Sequence, residues 1–164
     1  MAINTRSATE SALGSGKLFT VGHTTPSIAA AGTYLFGLTT GPRPVEYLDR
    51  LYTASVNEAL VELYENAYTG GTPAAAGNRN MVVGGPGPVN YVAAPTATIT
   101  GTPVATVKLI GGSSSGTATI TLYSDSERYI LKPNTQYVLR LTNQDSNAGM
   151  ITFRWTYRDT DVAY

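Results

Sequence analysis

The chain has 164 residues, of which 13% are charged; eleven basic and eleven acidic side chains cancel, and there is no cysteine. That length makes about one domain. The missing thiols exclude disulfides and thiolate metal sites, and the balanced charge leaves no basic excess to draw in nucleic acid or an anionic membrane surface. No apolar run reaches the roughly 18 residues of a membrane span, and the opening MAINTRSATESALGSGK has no signal-like apolar core. A soluble protein made in the cytoplasm, or released without a cleaved signal, is expected.

Charged residues usually make up about a quarter of a domain; here Gly, Ala, Ser, Thr and Pro take their place, a composition of short strands and turns. Residues 1–14 are small and polar without a period and are expected to be a flexible arm, with residues 15–164 forming a single domain. Leu18, Phe19 and Val21 make a short strand ending near His23. Residues 26–32 turn, residues 33–38 form the next strand, and the prolines of Gly41-Pro42-Arg43-Pro44 end it.

Residues 45–67 admit two readings. Val45, Leu48, Leu51, Val56, Leu60 and Leu63 recur close to a helical stripe. The alternative is a strand at about 45–53, a turn at 54–57 and a strand at about 58–65, with Ala59, Val61 and Leu63 on one face. Residues 69–90 form a long Gly-, Ala-, Asn- and Pro-rich connection, either a mobile loop without a role or one that inserts into a partner. Its one charge, Arg79 between Asn78 and Asn80, is the natural anchor. Further strands are expected through Ala97 and Ile99, over 104–110, and through Ala118, Ile120 and Leu122, with a flexible Gly/Ser turn at 111–116.

The last thirty or so residues alternate most clearly. After a turn at Lys132-Pro133-Asn134, Tyr137, Leu139 and Leu141 point one way and Gln136, Arg140 and Thr142 the other. Beyond a polar loop, Ile151, Phe153, Trp155 and Tyr157 oppose Thr152, Arg154, Thr156 and Arg158. A period of two places each set on one sheet face, and the pair reads as a terminal hairpin with a buried apolar face and a basic outer one. About eight to ten short strands with Gly/Pro-rich connections make an all-β antiparallel sandwich or barrel.

Chemistry is hard to find. His23 is the one histidine and reads as an ordinary strand-end residue. Ser113 to Ser115 lack the Gly-x-Ser-x-Gly elbow of a hydroxyl nucleophile, and Gly84, Gly85 and Gly87 lie among prolines with no phosphate-binding Lys-Ser/Thr after them. Asp125/Glu127 and Asp159/Asp161 are too few oxygens for a hard cation, and Asp145 with Asn143 and Asn147 fits a loop held by Asx turns. No catalytic residue, metal or cofactor is therefore expected. Eleven tyrosines against three phenylalanines favour rings with one wet end, suited to interfaces or sugar platforms.

Several segments carry a resemblance. They are residues 16–23 (GKLFTVGH), 60–65 (LVELYE) before a Gly-Gly-Thr, 77–80 (GNRN), 131–143 (LKPNTQYVLRLTN) and 151–155 (ITFRW). In this order they resemble the jelly-roll decoration (cement) proteins of tailed bacteriophage capsids, over most of the chain from about residue 15. The resemblance implies a jelly roll without enzymatic activity, forming a homotrimer that binds the major capsid protein on the capsid exterior. It also implies a strand at the Leu-Val-Glu-Leu-Tyr-Glu segment, which decides 58–65 for strand. On that reading Asn4 and Arg6 of the arm, with Asn78, Arg79 and Asn80 of the long loop, contact the capsid. A stripe of Arg140, Arg154 and Arg158, together with exposed tyrosines, forms the subunit interface. The competing readings are a head-fibre or tail component, a carbohydrate-binding or adhesin sandwich for a host-surface glycan, and an enzyme.

Overall fold

The computed structural model describes residues 17–78, 87–110, 118–123 and 129–159. The expected arm with Asn4 and Arg6, together with Arg79, Asn80, Ser113 to Ser115, Asp125, Glu127 and Asp161, lies outside them. Among the described residues there are twelve strands and no helix: β1 (Leu18–Thr24), β2 (Thr33–Thr40), β3 (Val45–Ala54), β4 (Glu58–Glu65), β5 (Thr72–Ala74), β6 (Gly77–Asn78), β7 (Val89–Ala93), β8 (Ala105–Ile110), β9 (Ala118–Tyr123), β10 (Tyr129–Leu131), β11 (Gln136–Asn143) and β12 (Ile151–Asp159). The strand reading of residues 45–65 holds, with β3 and β4 joined by a short turn, and no helix forms there.

All pairings are antiparallel and build two sheets. The front sheet runs β10-β3-β12-β1-β6, with β9 following β10's place along the same edge of β3; the back sheet runs β5-β7-β2-β11-β4-β8. Setting aside the short β5, β6 and β7, the chain changes sheet at each step from β1 through β4, stays in the back sheet from β4 to β8, places β9 and β10 together in the front sheet, and then changes sheet again for β11 and for β12. That winding makes the sandwich a jelly roll.

The inward faces meet in one core. Phe19, Val21, Tyr47, Tyr52, Phe153, Trp155 and Tyr157 come from the front, and Phe36, Leu38, Val61, Leu63, Tyr91, Leu109, Tyr137, Leu139 and Leu141 from the back. The closest ring pairs pack edge to face: Phe36 on Phe153 at 4.9 Å between centroids, and Tyr47 on Trp155 at the same spacing. Their polar ends are largely paired inside, with the Trp155 indole N–H donating to the Tyr52 hydroxyl (3.0 Å) and the Tyr47 and Tyr91 hydroxyls 3.2 Å apart. Burial without a well-formed hydrogen bond pushes the Tyr157 phenol up to about 12, offset in part by the Tyr91 hydroxyl.

Three expectations are corrected. The two terminal strands are not a hairpin: β11 lies between β2 and β4 in the back sheet, and β12 between β3 and β1 in the front. Their loop crosses between layers around Asn143. This fully buried residue donates from its side-chain amide to the carbonyls of Ile28, Ala29 and Asn147 and accepts from the Asp145 N–H. The Asx turns expected there are present, but in a crossover. Next, residues 97–104 form no strand; β7 ends at Ala93, and Ala94 takes a left-handed φ of 50°. Finally, the long connection contributes two short strands, β5 extending the back sheet beyond β7 and β6 extending the front sheet beside β1. The insertion thereby covers one flank of the sandwich and guards strand edges that carry little charge of their own.

Candidate interaction surfaces

Most of the large apolar side chains described are in the core, with Val104, Ile110, Ile130 and Met150 exposed, so candidate sites are sought on the two outer sheet faces and the loop ends. The back face is covered and cross-linked. After β4 the chain turns across it, and Tyr68, bonded through its hydroxyl to Thr39 Oγ1 (2.7 Å), lies over Gly37. A Cβ at Gly37 would come within 2.8 Å of the Tyr68 ring and 2.7 Å of Val92. Asn66 ties the same segment down through the Thr98 carbonyl and the Thr100 N–H. Val138, outward beside Gly37, is therefore 0% exposed.

Beside it stands a charged cluster. Arg140 donates from Nε (2.8 Å) and Nη2 (2.6 Å) to Glu62 Oε2, Tyr64 donates to Glu62 Oε1 (2.9 Å), and Arg140 Nη2 also reaches the Tyr64 hydroxyl. The guanidinium lies 4.9 Å from the Tyr64 ring centroid. Glu62 and Tyr64 are buried.

The front face is built differently. A register shift at Thr156/Tyr157 inserts one extra residue in β3, so Leu48 turns outward onto Leu18 and Arg50 turns inward opposite Trp155. There the guanidinium lies 4.1 Å from the Tyr129 ring centroid, beside an inter-sheet cavity of about 10 Å³, room for about one water. Arg158 binds Glu46 through Nε (2.6 Å) and Nη2 (2.5 Å). Between that pair and the loop end, the outward row Thr24, Thr152 and Thr53 crosses three strands, with Thr24 and Thr152 hydroxyls 3.0 Å apart. The next row is Gly22, Arg154 and Leu51, and the one after it Thr20, Thr156 and Asp49.

The predicted arginine stripe is therefore corrected. Arg140 belongs to the back sheet, Arg154 and Arg158 to the front, because their strands lie in different layers. Two of the three are already bonded within the chain, and only Arg154 is exposed. The exposed tyrosines are corrected as well: all nine whose side chains are described are buried or half-buried. Asn78, the described member of the predicted capsid-contact set, pairs with Phe19 at the sheet edge.

His23 points inward at the loop end, stacked on Tyr34 and tilted against Phe36 and Phe153, with Nε2 3.0 Å from the Tyr34 hydroxyl. Burial lowers its pKa. Among the described residues no three His, Cys, Asp or Glu side chains converge as a metal site. The Asp145 carboxylate is turned onto the backbone N–H groups of Asn57 (2.8 Å) and Asn147 (3.1 Å).

No family model matches the chain, and no curated protein does. Among solved structures, an unassembled KI polyomavirus VP1 pentamer is aligned over 90% of this chain and 75% of that one at 9% identity and a TM-score of 0.17, a likeness too low to bear on fold or function.

Proposed function

We propose that this chain is a virion structural protein of a tailed bacteriophage, decorating and stabilising the outside of a capsid by bridging neighbouring capsomers as a trimer. The reading rests on the resemblance of residues 131–143 and 151–155 to phage decoration proteins. One structural observation supports it over the adhesin alternative. Trp155 is 2% exposed, and no described tyrosine is fully exposed, so the rings that a sugar platform needs are in the core. Jelly rolls serve both capsids and lectins, so the fold alone does not choose between them.

The physics of the role suits a surface this poor in charge. A bridging subunit resists capsomer separation only if several contacts must break together, and trimerisation multiplies weak per-subunit contacts through effective concentration. Capsid contact is assigned to Asn4 and Arg6 and to Asn78, Arg79 and Asn80. The test is co-sedimentation of the purified chain with capsids. Saturation at a copy number divisible by three, with loss of affinity on removing residues 1–16, is the expected result. Absence of capsid binding combined with binding on a glycan array would replace this reading with the adhesin one.

A further inference from the structure

The described charged side chains are satisfied within the chain with two exceptions. Glu46, Glu58, Glu62, Glu65, Lys108, Lys132, Arg140 and Arg158 are in ion pairs, Arg50 lies on Tyr129, Asp145 holds backbone amides, and Lys17 and Arg43 also have interactions. Asp49 and Arg154 are the remaining two. Both point outward on the front sheet. Arg154 is opposite Leu51 and Asp49 opposite Thr156, so they occupy adjacent strands two ladder positions apart without forming an ion pair. Around them lie Thr20, Gly22, Thr24, Thr53 and Thr152, short side chains that leave the face flat.

We propose that this face binds the same face of a second copy of the chain about a twofold axis, with Arg154 of each copy meeting Asp49 of the other. One unmatched cation and one unmatched carboxylate on a single face are complementary to themselves when turned by half a rotation, which is the condition for an isologous contact. A partner of one charge sign would leave either Asp49 or Arg154 facing a like charge, which disfavours a closed interface. The threonine rows let the two sheets approach to the roughly 10 Å of face-to-face packing. A face of four strands about 4.8 Å apart and some 25 Å long is smaller than the ~800 Å² per partner of a standard interface, so the contact is weak. It does not rest on the capsid reading and is measured without capsids.

Sedimentation equilibrium of the full chain over roughly 5–500 µM tests it. The wild type is expected to show a concentration-dependent doubling of its unit mass, whether that unit is one chain or three. Arg154→Asp and Asp49→Arg each weaken the doubling by about tenfold or more through like-charge repulsion, and the combined charge swap restores it. Thr53→Lys, a substitution of an outward strand residue, also abolishes it. Absence of doubling in the wild type, single variants that double as the wild type does, or a swap that stays dissociated while matching the wild type by circular dichroism each overturn the contact. Failure of capsid co-sedimentation alongside intact doubling would reject the proposed function and leave this contact standing.

Discussion

On the back sheet Tyr68 is laid over Gly37, and Arg140, Glu62 and Tyr64 bond one another; on the front sheet Arg154 stands over Gly22 among threonines. Both faces come from the same alternation of polar and apolar residues. They differ in what the rest of the chain does with them. The back face is closed by the insertion after β4 and spends its charges internally, so it contributes to stability. The front face keeps Arg154 and Asp49 without partners among the described residues, and it is the face proposed to meet a second copy. Exposure already separates them, and accounting for each charge says what the open face lacks.

The sharpest way to break this contrast is a matched pair of glycine substitutions. Gly37→Val drives a Cβ into Tyr68 and Val92 and should cost about 3 kcal/mol by overpacking. At Gly22, on the front, the nearest atoms to an added Cβ are the Phe153 carbonyl oxygen at 3.4 Å and the Arg154 side chain at 3.8 Å, so Gly22→Val meets ordinary contacts. It should change stability by no more than about 0.5 kcal/mol, since a β-branched residue suits an open strand. Urea denaturation measures both, and equal costs would erase the distinction between the faces.

Next in size is the back-face ion pair. Arg140→Ala and Glu62→Ala should each lose roughly 1–3 kcal/mol, the second leaving the guanidinium without its carboxylate. A double-mutant cycle should return a coupling of about 1 kcal/mol, because Glu62 is 8% exposed and the pair is bidentate at one carboxylate oxygen. Zero coupling would reduce the cluster to an ordinary surface pair.

Much of this was legible in the chain, and the limits have physical causes. Alternation at Ile151, Phe153, Trp155 and Tyr157 gives the buried face directly, because period two is a local property. The Lys-Pro-Asn-Thr-x-Tyr segment reads equally well: Asn134 takes a left-handed φ of 50°, and the Lys132 N–H donates to the Tyr137 hydroxyl at 3.0 Å. Sheet membership is not local. Strand β12 pairs with β1 and β3 from the other half of the chain, so the stretch after Asn143 looks like a hairpin whether or not the layers change. The helical look of residues 45–51 has its own source. The bulge at Leu48 shifts the parity of β3, so Val45, Leu48 and Leu51 recur at threes while lying on different faces. Charge pairing across strands was the other hidden feature, since Arg140 and Glu62 meet only through a register that folding creates.

A smaller effect separates the loop end from both faces. Burial lowers the His23 pKa below its ordinary 6.5, so around and just below that pH the unfolded chain binds more protons than the folded one, and stability falls as pH drops. The His23 contribution is intact above 6.5 and lost as pH falls through the folded value. Asp145 works in the same direction lower down. The N–H groups of Asn57 and then Asn147 hold its carboxyl below 3.8, so its contribution is present above that value and lost as pH falls through the folded one. Denaturation midpoints between about pH 7 and 3 should decline in two steps. His23→Leu should remove the upper step alone, and a wild-type midpoint that stays flat between about pH 7 and 5 would show that the aromatic wall does not disfavour the imidazolium.

The least change is expected where the front face is most open, and that near-absence of effect is informative. In dilute solution Arg154→Ala should alter stability by no more than about 0.5 kcal/mol, because it removes an exposed side chain without a partner among the described residues. At high protein concentration the wild type should melt at a higher temperature than when dilute, because association stabilises the folded form by mass action. The variant should lose most of that increment while keeping its dilute melting temperature. Arg154 would then matter to the second copy and not to the fold that carries it. A loss above about 1 kcal/mol in dilute solution would place Arg154 among the structural charges with Arg140, and the contrast between the two faces would disappear.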